Sequence, residues 1–199
     1  MSQAEYGRRH SREDVVSAAL RILDDFGLPD LTMRRLAGAL DVQPSALYWH
    51  FPNKQHLLAE LANRIVTPTT PRHPDPDRPG NLRAEAAALR NALLAYRDGA
   101  EVVSSTLALG LGSTVARDNL VASIVDDGYD EITAQRAATA ILHFVLGHVS
   151  HEQQRMQYDS LGVRAPDTGA SALEEDPSAE FDFGVDLLVS GLEVSRSRT

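Results

Sequence analysis

Residues 31–54, LTMRRLAGALDVQPSALYWHFPNK, carry two apolar faces too short to fold alone, so the segment can exist only as part of a small multi-helix unit. Thr32 can cap a helix from Met33 to Leu40, on which Leu36, Ala37 and Leu40 follow the spacing of one buried stripe. Asp41 and Val42 make a tight turn. Pro44 suits the first position of a second helix, where its missing N–H costs nothing, and that helix is expected to include Ser45 to Phe51. Its tip of Gln43, Ser45, Tyr48, Trp49 and His50 is poor material for burying apolar area. It suits a helix that enters a major groove with its N-terminal residues at base edges. Upstream, Ser11 to Phe26 is amphipathic, with Val15, Ala18, Ala19, Ile22, Leu23 and Phe26 on the apolar face and Gly27 as the stop.

The rest of the chain also has helical periodicity. A connector helix is expected from Lys54 to Val66, with Leu57, Leu58, Leu61 and Ile65 on one face. TPTTPRHPDPDRPG, residues 67–80, holds five prolines in fourteen residues and is expected to be an exposed linker. Beyond it, helices are expected over Leu82–Arg97, Thr114–Asp127, Ile132 to about Tyr158, and Ala179–Val194, with Gly99, Gly110 and Gly112 breaking the stretch between the first two into a short helix and turns. Residues 159–178 lack periodicity and are expected to be loop. The fold class is all-α. Residues 1–66 are expected to form a three-helix helix-turn-helix headpiece with its connector, 67–80 the linker, and 81–199 a second, helical domain.

Composition narrows the function. Cysteine is absent, which removes disulfides, thiolate metal sites and cysteine nucleophiles. There is no GxSxG, no glycine-rich phosphate loop and no telling carboxylate pair, so no enzyme is expected and no cofactor. Neither a run of 18 apolar residues nor a signal-peptide pattern is present, so a cytoplasmic protein away from membranes is expected. The net charge of −9 argues against a broad positive field. Residues 1–60 carry 7 Lys/Arg against 8 Asp/Glu and residues 61–199 carry 12 against 20, so the headpiece is merely less acidic than the body. DNA affinity must then come from a few placed contacts. The only lysine among 19 basic residues is Lys54.

The order helix, FG, LT-x-R-x-LA, turn, LYWHFPNK, helix resembles the tetracycline-repressor (TetR) family of bacterial transcriptional regulators. Leu47-Tyr48-Trp49-His50 followed by Asn53-Lys54 carries the resemblance most specifically. It extends to Ala92 through Ala100 (ALLAYRDGA), His143 through Gly147 with Glu152-Gln153-Gln154 just after, and Phe181 through Leu188.

The resemblance implies a homodimer joined through the helices near 132–158 and 179–194, and a palindromic double-stranded DNA operator. It implies that Arg34, Gln43, Pro44, Ser45 and Ala46 face base edges, while Tyr48, Trp49, His50 and Lys54 meet phosphates with Thr32 as a further donor. Packing is the alternative for Tyr48 and Trp49, but Leu47 and Phe51 already supply the core face.

It further implies a small-molecule effector in the body. Drug-binding members hold magnesium-tetracycline through a histidine where this chain has Val103, and through a glutamate that falls at His151 or Glu152. Thr106 matches a family threonine. Leu107, Glu85, Leu89 and Thr70 stand where an arginine, an asparagine, a phenylalanine and a histidine contact the drug. Most chelate ligands are missing, so magnesium-tetracycline is not the expected effector.

The expected pocket wall is apolar instead: Leu89, Leu93, Val102, Val103, Leu109, Leu120 and Ile124, with Thr106. Phe144, His143, His148 and His151 of the long helix complete it, which suits a drug-sized hydrophobic or aromatic ligand of unknown identity. His148, His151 and Glu152 share a helical face. A metal there competes with plain hydrogen bonding, and no metal site is expected. A DNA-binding regulator without an effector is the alternative; a filled body with no cavity would favour it.

Overall fold

The structure is a computed structural model that describes residues 10–67, 82–112, 114–160, 162 and 176–196. Among these residues every regular element is a helix: α1 (Arg12–Phe26), α2 (Met33–Ala39), α3 (Pro44–Leu47), α4 (Lys54–Val66), α5 (Leu82–Leu94), α6 (Gly99–Ala108), α7 (Val115–Asp126), α8 (Glu131–Ser160) and α9 (Pro177–Arg196). The expected linker lies outside the described residues apart from Thr67, and so does most of the expected 159–178 loop.

The headpiece follows its capping chemistry. Ser11 and Asp14 form a reciprocal capping box at the start of α1, and the Thr32 hydroxyl accepts the Arg35 N–H at 3.1 Å to start α2. Val15, Ala18, Ala19, Ile22 and Leu23 are buried as their spacing predicts. Phe26 is the exception. It is 46% exposed, because the Arg35 guanidinium lies 3.7 Å from its ring centroid and covers it from outside the core.

The second expected helix is shorter than its sequence suggested. Leu47 C=O accepts both the His50 and the Phe51 N–H at 3.0 Å, so the chain tightens into a turn after α3. That turn drops Phe51 into the core beside Leu47, each 1% exposed, and leaves Tyr48 and Trp49 outside.

Asn53 caps α4 by accepting the His56 N–H at 3.0 Å. Helix α4 then packs against α1 on one side and against α5, α6 and α7 on the other. Arg64 donates to both oxygens of Glu13 at 2.9 and 2.6 Å, and these bonds hold the Glu13 carboxyl below its ordinary range. The pair is exposed and adds little to stability.

In the body, α8 runs for 30 residues, roughly 45 Å at the usual rise. It packs against α5, α6, α7 and α9. Ala134, Ala138, Ile141, Leu142, Val145 and Val149 form its buried stripe.

Helix α5 stops at Leu94, three residues short of expectation, because the chain must turn sharply into α6. That turn brings Gly99 against the preceding helix: a Cβ there would sit 2.3 Å from the Leu93 carbonyl oxygen. A backbone atom cannot yield as a side chain can. Gly99→Ala is therefore expected to destabilise the chain by about 1–3 kcal/mol, read from urea unfolding followed by circular dichroism.

Candidate nucleic-acid interface and effector cleft

The residues expected at DNA lie along one stretch of chain from the start of α2 to the start of α4. Thr32 and Arg34 are exposed on α2. Gln43 is the N-cap residue of α3, but its side chain makes no capping bond, and Pro44 takes the first helical position. Gln43, Pro44 and Ser45 are exposed, while Ala46, His50 and Lys54 are half-buried.

Tyr48 is 49% exposed and Trp49 is 90% exposed. An indole left that far in water has no folding role that packing could explain, and the core beneath it is already closed by Leu47 and Phe51. Arg34 differs from its neighbour: Arg35 is spent on Asp30 at 2.6 Å and on the Phe26 ring. The stretch offers hydrogen-bond donors and acceptors, two exposed aromatic rings and the single lysine, which is the inventory of groove and phosphate contact.

The twelve residues expected to line an effector pocket divide between the packed core and the surface. Leu93, Val102, Val103, Thr106, Leu120 and Ile124 are packed in the core at 0–3% exposure, and the Thr106 hydroxyl donates to Val103 C=O at 2.9 Å. Leu109 is 59% exposed, because α6 ends at Ala108 and the chain turns outward there. His143 and His151 also lie on the outside of α8.

Phe144 and His148 sit in the seam between α8 and α9. Their rings lie 5.9 and 5.4 Å from that of Phe181, and His148 Nε2 hydrogen-bonds Pro177 C=O at 3.1 Å. Among the described residues, Leu89 of the set borders a cleft of about 110 Å³ in the body's α5–α7 region. The cleft lies between Val66 at the end of α4, Glu85 to Ala92 of α5, and Ala116 and Asn119 of α7. A second cleft of about 230 Å³ opens beside His148, His151, Glu152 and Pro177.

Glu152 points inward, with its oxygens 2.7 and 3.1 Å from Arg90 Nη2 and Nε, and the two side chains are 13% and 12% exposed. Arg90 also stands 5.2 Å from the Phe181 ring centroid and bonds the Ser178 hydroxyl at 3.3 Å, joining α5, α8 and α9. Glu152, one of the two residues that fall at the family's glutamate, thus already holds a guanidinium. Among the described residues no group of three His, Asp or Glu side chains has metal-binding geometry.

Sequence reasoning did not single out Arg90, whose role depends on a partner 62 residues away. It also passed over Asp98, Gln153 and Gln157, which tie the α5–α6 turn to α8. Asp98 and Gln153 lay inside quoted motifs, so burial of a polar residue within a recognisable motif was the available signal.

A helix-turn-helix headpiece with an exposed aromatic turn, carried on an all-helical body, defines a DNA-binding regulatory protein. Residues 15–61 match the family described as "Bacterial regulatory proteins, tetR family", and residues 70–196 match "Tetracyclin repressor-like, C-terminal domain". The chain is 38% identical to the class C tetracycline repressor protein of Escherichia coli, covering 94% of this chain and 93% of that one. It also resembles the crystal structure of BioQ from Mycobacterium smegmatis, with a TM-score of 0.77 at 40% identity over 92% of this chain and 97% of that one. BioQ solved with its natural double-stranded DNA operator gives a TM-score of 0.74 at 38% identity, over 92% and 98%. The chain belongs to the TetR family: it is a DNA-binding transcriptional regulator and not an enzyme. No helix among the described residues is long and apolar enough to cross a membrane.

Two substitutions separate the roles assigned here. Trp49→Ala should leave the unfolding free energy within about 0.5 kcal/mol of the parent, by urea titration and circular dichroism; a larger loss would place the indole in the fold. Arg90→Ala should cost about 1–3 kcal/mol in the same assay, because it leaves a half-buried carboxylate without its charged partner.

Proposed function

We propose that this chain is a homodimeric cytoplasmic repressor that binds a palindromic operator and is released from it by a small, largely apolar effector. The observation that carries the DNA reading is the exposure of Trp49 and Tyr48 on the turn after α3. Arg34 and Gln43 read base edges: arginine can bond guanine O6 and N7 together, and a glutamine amide can pair with adenine. Pro44, Ser45 and Ala46 face the bases at closest approach. Tyr48, Trp49, His50, Lys54 and Thr32 meet phosphates and fix the register.

The homodimer is supported by the outer faces of α8 and α9. Phe183, Leu187 and Val194 of α9 are 66%, 59% and 54% exposed, far more apolar surface than a solvated helix needs. Beside them, Ala140, His143 and Gly147 give α8 an exposed face of mostly small residues. Pairing α8 and α9 with their symmetry mates in a four-helix interface would cover both faces and set two headpieces side by side.

The effector reading rests on the cleft between Val66, Leu89 and Ala116, which lies at the end of α4 and so at the connection to the headpiece. Its wall is mostly apolar, with Glu85 and Asn119 as the polar groups. An effector there can release DNA only by as much as it prefers the body conformation that spaces the headpieces wrongly. Magnesium-tetracycline is a poor candidate, given Val103 at 3% exposure and Glu152 held by Arg90. A regulator without any effector is the second reading, and it is favoured by the close packing of Leu93, Val102, Thr106 and Ile124.

Selection of genomic fragments by the purified protein, followed by footprinting, tests the operator claim: one palindromic site is expected, and enrichment of none by folded dimer overturns it. On that site Tyr48→Ala should weaken binding to all sequences alike, whereas Arg34→Ala and Gln43→Ala should each relax preference at one position by about 1–3 kcal/mol. An unchanged sequence preference for Arg34→Ala removes its base-reading role. Fluorescence titration of tetracycline with magnesium checks the effector claim, and tight binding would reverse it.

A further inference from the structure

Asp98 occupies the N-cap of α6, where an aspartate ordinarily accepts a hydrogen bond from an amide in the first turn of its own helix. Here its side chain makes no such bond. The residue is 8% exposed and its backbone lies in the left-handed region, φ 56° and ψ 21°, which side chains other than glycine seldom adopt. A forgone cap and an unfavourable backbone are both sustained by bonds made elsewhere.

Those bonds reach in two directions. Oδ2 accepts the Leu28 N–H at 2.7 Å, in the α1–α2 connection of the headpiece, and Oδ1 accepts from Gln157 Nε2 on α8. Gly27 lets the headpiece backbone come this close. Its φ is 85°, and a Cβ there would lie 2.8 Å from Asp98 Oδ2.

On the body side the same turn is pinned to α8 by buried Gln153. Its amide N–H groups donate to Leu93 C=O at 3.1 Å and Tyr96 C=O at 2.8 Å, and its Oε1 accepts the Ala100 N–H at 3.2 Å. A polar path thus runs from α8, through the turn, to the headpiece.

We propose that Asp98 is a positioning residue for operator binding: its carboxylate fixes the angle of the headpiece on α8, and so the separation of the two Trp49-bearing turns in the dimer, without touching DNA. This rests on the operator reading above. A carboxylate fits because two donors converge on it and it accepts on both oxygens. Asparagine can replace it only by turning its NH₂ toward Gln157 and having that amide flip to accept, and it tolerates the left-handed backbone. Glycine keeps the backbone and loses both bonds.

The chain has no cysteine, so Ser17→Cys on the exposed side of α1 places a single spin label on each headpiece. Pulsed-dipolar distances between the two labels in the full-length dimer then read headpiece position directly. One narrow distribution is expected for the parent and for Asp98→Asn, and a broadened or shifted one for Asp98→Gly and Gln157→Leu.

In operator binding, Asp98→Gly should lower the preference for native half-site spacing over a spacing one base pair longer by about tenfold, the equilibrium worth of one hydrogen bond to a charged group. Its thermal midpoint should fall by several degrees, as the loss of two hydrogen bonds requires, with the protein still folded at the temperature of the binding assay. An unchanged label distribution in Asp98→Gly overturns the proposal, as does a loss of affinity at both spacings that tracks loss of folded protein. If the parent enriches no palindrome, the operator reading fails by itself, and the label distances still decide whether Asp98 holds the headpiece.

Discussion

Everything in this fold depends on one helix being buried on two sides. Helix α4 has thirteen residues, and Leu57, Leu58, Ala59, Leu61, Ala62, Ile65 and Val66 are all buried, at 0–9% exposure. A helix that served one core would bury a single stripe; α4 serves the headpiece through α1 and the body through α5, α6 and α7. Each large side chain on it removes apolar surface worth about 1.5–3 kcal/mol, and that surface belongs to two cores at once. The headpiece therefore cannot be loosened without disturbing the body, and a change in the body is felt at the headpiece.

Polar bonds refine what this apolar contact holds. Gln153 is a buried amide whose donors and acceptor are all satisfied by the backbone of residues 93–100, in a region where an unsatisfied amide would cost more than the bonds return. The Arg90–Glu152 pair does the same between α5 and α8, with α9 closing over it through Phe181. Buried ion pairs are seldom a large source of stability. Their contribution here is geometric: they fix the rotation of α8 against its neighbours.

Local chemistry made most of the fold legible. Ser11, Thr32 and Asn53 as caps, Pro44 as a first helical residue and Gly27 as a stop each specify a helix boundary from within a few residues, and the helix starts follow them closely. The two boundaries misjudged by three residues or more have tertiary causes. Helix α3 ends early because Phe51 is drawn into the core, and α5 ends early because Gly99 must pack against Leu93. Neither constraint is visible in propensity.

The candidate sites divide in the same way. The proposed DNA contacts lie in one contiguous stretch of chain, from Thr32 to Lys54, and most of them are exposed. The effector set was gathered from four distant segments, and sequence spacing on each could not show whether the apolar faces enclosed a space or closed on one another. At Leu93, Val102 and Ile124 they closed; at Leu89 and Ala92 a cleft remained.

The exposure of Trp49 has a consequence of another kind. It is the only tryptophan in the chain, so all indole emission comes from the tip of the headpiece. Because that ring already sits in water in the native state, its spectrum carries little record of whether the body is folded. The chain's single indole sits where the proposed operator would meet it, so its emission would report occupancy of one surface rather than integrity of the whole.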